Sequence, residues 1–484
     1  MTRSPMTGPR TDTRPDIVIA HAHDLGTWLS FLGMPSVPSP HLARFAAGSV
    51  VFENAFATAP LCTPARSSLM TGTSPHVNGL QGLAHHGWRY RTGVRTLPEL
   101  LAPAGYHTVL VGLQHEHSNA AVLGYDEVAG AGFLPRALPV VAEAEGYLRR
   151  RAQQRAAEGQ AAPLLMVVGT WEVHRPWPVE DYAPADPDGV DVPAYLPDTP
   201  DTRADIAAFH GAIRQLDLAM ERLFTAIDAF TDPGNTMVIF TTDHGAAFPR
   251  AKGTLYDAGV RVALVVRPPR SWGVGPGRRS ALVSHLDVVP TVLEAAGAEL
   301  PSWLEGNSLV PLLSGDVPEE RDDRTLVLQK AYHDTYDPLR AVRTRRHKLI
   351  RTFQPGTPQP LGKDVAGSRT RAGMSDADFP PRPPVELYDL RADPDEQVSL
   401  ADSPQHADVR AALEARLAAW MDAMADPLAT GPVPPPPPQS RETDALPALE
   451  GTPDPWAGRE ALGQPHSAAT GDAAGRAGTG GPAR

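Results

Sequence analysis

Five short apolar runs, rich in β-branched residues and closed by turn formers, set the architecture: "DIVIAHA" (16–22), "HTVLVG" (107–112), "PLLMVVGTW" (163–171), "NTMVIFTTD" (235–243) and "VALVVRP" (262–268). The runs are continuous rather than alternating, as strands buried on both faces must be, and such strands belong to parallel sheets. Amphipathic patterns lie between several of them. The clearest covers 203–230, where Ile206, Ile213, Leu216, Met220, Leu223 and Ile227 recur at spacings of three, four or seven, with Thr202 as N-cap. The fold class is therefore α/β: a doubly wound, mostly parallel sheet sandwiched by helices.

Beyond about residue 320 the pattern changes. "LVLQKAY", "AVRTRRHKLIRTF" and "VELYDLRAD" carry polar alternation with no helix between them, and a helix follows near 405–425 with Val409, Leu413, Leu417, Trp420 and Met424 on one face. This predicts a smaller C-terminal α+β domain, an antiparallel sheet plus one helix. The expected organisation is a main domain over 16–320, the small domain over 321–428, and disordered ends at 1–15 and 429–484. The second of these ends is Pro/Gly-rich and too polar to bury a core.

A formal net charge of −12 argues against a nucleic-acid partner, and the one basic run, "RTRRHK" (343–348), reads as an exposed strand edge. The N-terminus lacks the apolar core of a signal peptide, and no stretch reaches eighteen apolar residues. A soluble, cytoplasmic chain with no membrane partner is expected. The single cysteine, Cys62, excludes an intrachain disulfide and a Cys-rich zinc site.

Ligands of open α/β sheets bind at the carboxyl ends of strands, and three such ends here are unusually polar. The first strand exits through His21, His23 and Asp24, the 235–243 strand through Asp243 and His244, and the 163–171 strand leads to Glu172, His174 and Arg175. A carboxylate after a strand commonly serves as a helix cap or turn former, but two Asp/His doublets at strand ends also offer the donors for a divalent cation, with oxygen donors favouring calcium, magnesium or manganese. "TPARSSLMTG" reads as a short helix with Thr63 as N-cap and Pro64 in its first turn. Cys62 then sits at a helix N-terminus, where unpaired N–H groups favour an anion, with Arg66 one turn on. The alternative is a small buried hydrophobe beside a cap.

"CTPAR" (62–66), continued by "SSLMTG", resembles the Cys-x-Pro-x-Arg element of the type I, formylglycine-dependent sulfatases. The likeness extends in order through "RPDIVIAHAHDLG", "VIFTTDHG", "KGTLYDAGVRVALVVRPP", "VSHLDVVPTVLEAAG" and "ELYDLRADPDEQVSLAD", roughly residues 14 to 425. It is nearest to the heparan N-sulfatase (sulfamidase) branch through "NAFATAPLCTPARSSLMTG", "LPDTPDTRADIAAFHGAIRQLD" and "PSWLEGNSLVPLL". The resemblance implies an alkaline-phosphatase-like fold and a sulfatase acting on a sulfate ester or sulfamate, most naturally on a small sugar. It implies a formylglycine at Cys62, made by a formylglycine-generating enzyme, and one divalent metal, calcium by family.

Carried over to this chain, Asp24, Asp243, His244 and residue 62 hold the metal, with His23 either a ligand or supporting one. Arg66 holds the formylglycine, Lys252 binds sulfate, His174 is the general acid, and His115 takes a proton so that sulfate is expelled. Arg175, His86, His333 and Asp334 are substrate contacts, with His85 beside them, whereas His76, His210, His285 and His347 are structural. Three departures stand out. His23-Asp24 replaces two aspartates, Asp243-His244 replaces Asp-Asn, and Leu113 replaces a lysine, a loss for which His117 or Gln114 is expected to compensate. Nitrogen ligands shift the metal preference toward manganese or zinc. A phosphate or phosphonate ester hydrolase of the same superfamily and a metal-binding scaffold that has lost catalysis are the rival readings. Homo-oligomerisation is left open.

Overall fold

Asp16–Ala22 (β1) is buried along its whole length, and its alternating side chains enter two different cores. Val18, Ala20 and Ala22 face one layer, and Ile17 and Ile19 the other. A continuous apolar run is therefore what a central strand requires. The computed structural model describes residues 14–130, 135–159, 161–315 and 324–436. The other main-sheet strands are β2 (Val50–Phe56), β3 (His107–Gly112), β4 (Glu127–Ala129), β5 (Leu164–Gly169), β6 (Thr236–Thr242), β7 (Arg261–Val262), β8 (Leu264–Arg267) and β9 (Gly277–Ser284).

Their order is β4-β3-β5-β1-β6-β8-β2-β7, with β9 beside β2. The pairs joining β4, β3, β5, β1 and β6 are parallel, as is β2 with β9, while β8 pairs antiparallel with both β6 and β2. Ile17 pairs in register with Leu165 and Met237, and His21 with Gly169 and Thr241, so three strands exit side by side.

Helices Ala137–Glu158 and Pro200–Phe230 cover one face, and Cys62–Thr71 and Val288–Ala296 the other. The long helix begins three residues earlier than its apolar pattern predicts. Its N-cap is Thr199, whose hydroxyl accepts from the Thr202 N–H, and Pro200 fills the first turn. Thr202 lies inside the helix and is fully buried.

The second sheet is antiparallel: β10 (Leu326–Tyr332), β11 (Tyr336–Arg343), β12 (His347–Thr352) and β13 (Val385–Asp389). Helix Ala407–Ala423 packs Leu413, Leu417 and Met421 into its core, and the helix ends before Met424. The basic run is a turn between two paired strands rather than an edge, and its ends are buried: Lys348 binds Asp257 at 2.5 Å and Arg343 binds it at 2.9 Å.

Val433 is buried, held by hydrogen bonds from its N–H to Tyr336 Oη and from Tyr332 Oη to its carbonyl, so ordered chain continues past 428. The expectations for 1–13 and 437–484 fall outside the described residues. Among the described residues no helix is long and apolar enough to cross a membrane.

Candidate active site

β1 and β6 release their polar ends together. Gly26 and Gly245 sit at the two exits, and a Cβ on Gly26 would lie 2.9 Å from the Gly245 Cα, so only glycine allows this approach. Asp24 takes a left-handed conformation (φ 55°), and its N–H donates to Asp243 Oδ1 at 2.9 Å. Helix Cys62–Thr71 points its first turn at the same place. Leu61 is the N-cap and Cys62 the first helical residue; Thr63, read from sequence as the cap, instead donates its hydroxyl to the His115 carbonyl at 2.5 Å.

Five side chains from these elements meet. His23 Nε2 is 3.0 Å and His244 Nε2 3.4 Å from Cys62 Sγ. His244 Nε2 is 3.2 Å from Asp24 Oδ1, and His23 Nε2 is 3.4 Å from Asp243 Oδ2. One donor atom from each of these five buried residues lies within 4.8 Å of every other. His244 Nδ1 lies 3.0 Å from the Gly245 carbonyl; an N–H there fixes the tautomer and leaves a lone pair on Nε2. Asp24 Oδ1, though buried, carries no hydrogen bond. Converging lone pairs with an orphaned carboxylate oxygen fit a divalent cation. His23, whose place sequence leaves open, turns its Nε2 into the cluster.

Two cations brace the carboxylates. Arg66 donates through Nε and Nη2 to Asp243 Oδ2 at 3.2 and 3.0 Å, and its Nη1 lies 2.7 Å from His21 Nδ1. Lys252 donates to Asp24 Oδ2 at 2.6 Å and to Asp364 Oδ2 at 2.7 Å. Burial pushes Asp24 up, whereas for Asp243 the charges of His244 and Arg66 outweigh burial and hold it well below the usual carboxylate range. Burial also pushes the Cys62 thiol well above its ordinary value and pulls His23 and His244 below the ordinary imidazole value.

His174 flanks the cluster, its ring centroid 4.6 Å from that of His23. Its Nδ1 lies 2.5 Å from the Arg175 carbonyl and its Nε2 3.3 Å from Lys252 Nζ. His115 stands one ring further out, edge-on to His23 at 6.0 Å and stacked on His85, with His115 Nε2 3.3 Å from His85 Nδ1. His86, His333 and Asp334 cluster by the mouth: His86 Nδ1 is 3.3 Å from the His333 carbonyl, and His333 Nδ1 is 3.2 Å from Asp334 Oδ2.

Arg175, expected to contact substrate, has its side chain held by protein partners. It pairs bidentately with Asp205 at 2.8 and 2.7 Å, donates to the Ala247 carbonyl and lies 3.9 Å over the Trp177 ring, so its donors are committed to packing. The compensation expected for Leu113 is also absent from Gln114 and His117. Gln114 caps its own turn, His117 meets Arg89, and Leu113 is buried. The imidazole of His23 stands nearest the thiol instead. Asp364 was missed from sequence, because a carboxylate in the loop segment "PLGKDVAG" carries no local signal; only the docking of that loop brings it to Lys252.

Comparison with known proteins points the same way. The sulfatase family profile matches residues 16–298, and the profile of the C-terminal part of N-sulphoglucosamine sulphohydrolase matches 248–358. Human N-sulphoglucosamine sulphohydrolase is 28% identical over 460 residues, spanning 82% of this chain and 88% of its own. Among solved structures, a protein in complex with its substrate D-glucosamine-2-N,6-O-disulfate superposes with a TM-score of 0.64 at 18% identity, covering 86% of this chain and 99% of that one. The phosphonate monoester hydrolase of Agrobacterium radiobacter superposes with a TM-score of 0.63 at 20% identity, over 85% and 96%. With its family profile spanning more than half the chain and its fold shared with these structures, the protein belongs to the sulfatases, the sulfuric ester hydrolases.

Proposed function

We propose that this sulfatase hydrolyses a sulfate ester or sulfamate on a small sugar, with Cys62 converted to formylglycine as the nucleophile. The observation that carries the reading is the position of Cys62 Sγ, 3.0 and 3.4 Å from two imidazole nitrogens that themselves face Asp24 and Asp243. A thiol raised by burial is a poor nucleophile, so the residue type matters as a precursor. Its conversion to an aldehyde is a two-electron oxidation with loss of hydrogen sulfide, and it needs an external oxidant delivered by a formylglycine-generating enzyme.

Asp24, Asp243, His244 and His23 would hold a divalent cation, which when bound would supply charge neutralisation for the sulfate and a lower pKa for the hydroxyl at position 62; the two nitrogen donors would favour manganese or zinc over calcium. Arg66 fixes Asp243, and Lys252 presents an ammonium to the sulfate oxygens. One hydroxyl of the hydrated aldehyde attacks sulfur, and the sugar oxygen or nitrogen departs with a proton from His174 Nε2. His115 then takes the proton of the second hydroxyl, the carbonyl re-forms, and the C–O bond to sulfate breaks. Because that bond is to carbon, no water has to attack sulfur in the release step.

A second reading, hydrolysis of a phosphate or phosphonate ester, draws on Asp243-His244 and on the phosphonate monoester hydrolase among the structural neighbours. Mass spectrometry of the Cys62 peptide, with a carbonyl-reactive probe, tests the nucleophile; an intact alkylatable thiol in active protein overturns it. Turnover of 4-nitrophenyl sulfate against 4-nitrophenyl phosphate decides between the esters, with sulfate expected to lead.

A further inference from the structure

Asp364 lies beyond both family matches, which end at residues 298 and 358. It comes from the loop between β12 and β13, on a short helix Lys363–Ala366. Its carboxylate reaches Lys252 Nζ at 2.7 Å and stands 3.9 Å from His174 Nε2, the two groups that meet the sulfate and the leaving atom. The loop is seated closely. A Cβ on Gly362 would lie 3.0 Å from the His333 ring and 2.8 Å from Asp364 Oδ1, and the Lys363 N–H donates to Asp334 Oδ2 at 3.1 Å. Further along, Thr370 donates through its N–H and hydroxyl to Asp205, the partner of Arg175, whose own carbonyl faces His174 Nδ1. One carboxylate, Asp205, thus ties the loop to the backbone that orients His174.

The small cavity beside Lys252 is lined by Asp364, Asp334, His333 and Lys330. Its lysines are engaged: Lys252 with Asp24, Asp364 and, on the reading above, the scissile sulfate, and Lys330 with Asp337 and the Gly253 carbonyl. A second anion on the substrate would meet two carboxylates there, whereas a hydroxyl or an ammonium would find acceptors.

Resting on the sulfatase reading above, we infer that Asp364, supported by Asp334, is a specificity-determining residue that restricts this enzyme to substrates with a single anionic group, the scissile sulfate, on a neutral or amine-bearing sugar. This contrasts with the structural neighbour whose substrate is a glucosamine disulfate.

The test compares glucosamine N-sulfate with glucosamine 2-N,6-O-disulfate. Binding is measured by calorimetry on the Cys62→Ala protein, and kcat/KM on the active enzyme alongside 4-nitrophenyl sulfate. The monosulfate should win by at least about tenfold in both readouts, since like charges brought together cost several kcal/mol. Asp364→Asn should shrink that ratio to about threefold or less, and Asp334→Asn should shrink it by a smaller factor. A loosened fold would weaken both ligands together and leave the ratio in place, so the ratio separates selection from damage. Equal or tighter binding of the disulfate by the parent protein overturns the inference, as does a ratio untouched by both substitutions. If 4-nitrophenyl sulfate turns over while the ratio is flat, only this inference fails. If the ratio holds while formylglycine-bearing enzyme turns nothing over, the hydrolase reading fails and the selectivity stands.

Discussion

Arg340 and Asp426 are as deeply buried as Asp24 and Asp243, yet their surroundings differ in kind. Arg340 donates to both Asp426 oxygens, at 2.5 and 2.9 Å, and sends its remaining nitrogen to the carbonyls of Lys330 and Leu339. Each of its three nitrogens has an acceptor. At the active site, two carboxylates and two imidazole nitrogens face each other around a thiol, and Asp24 Oδ1 and His23 Nδ1 carry no hydrogen bond. Buried charge that is saturated fastens the second sheet; buried charge that converges and leaves a carboxylate oxygen without a donor is held ready for a ligand.

Substitution should expose this difference, most sharply at Cys62. Cys62→Ala is expected to lower kcat/KM for a sulfate ester by at least about a thousandfold, while the denaturation midpoint barely moves. Arg340→Leu should do the reverse, destabilising the protein by about 3–5 kcal/mol because Asp426 is left buried and unpaired. The pair Arg340→Leu with Asp426→Leu should recover most of that loss in denaturant titrations.

A smaller effect comes from metal. Chelation should lower the unfolding midpoint, and manganese or zinc should restore it better than calcium. A site filled at a hundred times its dissociation constant contributes about 2.7 kcal/mol. Asp243→Asn should abolish that response.

The mildest test concerns Glu396, whose carboxyl burial raises from its ordinary 4.5 to about 7, against the pull of Lys348. Between those values the folded state keeps a proton that the unfolded state has released, so stability should fall as pH rises from about 4.5 to 7. Glu396→Gln should flatten that slope.

What sequence reveals follows the same divide. β1 and β3 are readable to the residue, because burial on both faces leaves a continuous apolar run. The Asp/His doublets are readable because parallel strands deliver their ends to one edge. β2, "VVFENAF", is missed because Glu53 and Asn54 interrupt it, and only pairing with β8 and β9 makes it a strand. The bonds of Arg175 and Asp364 are illegible in the sequence for a common reason. Their partners, Asp205 and Lys252, lie 30 and 112 residues away in the chain, and no local pattern records such a meeting.

The helix that begins at Cys62 is buried at every position, and Cys62 itself is only 2% exposed. An enzyme that rewrites this side chain needs to draw a stretch of backbone into its own cleft, and the finished fold offers none. On the formylglycine reading proposed above, conversion has to happen while the chain is still open, before β1 and β6 close over the thiol. On that reading a molecule that folds first is locked as a thiol, the active fraction of a preparation records a race between modification and folding, and slowing the folding of the nascent chain should raise it.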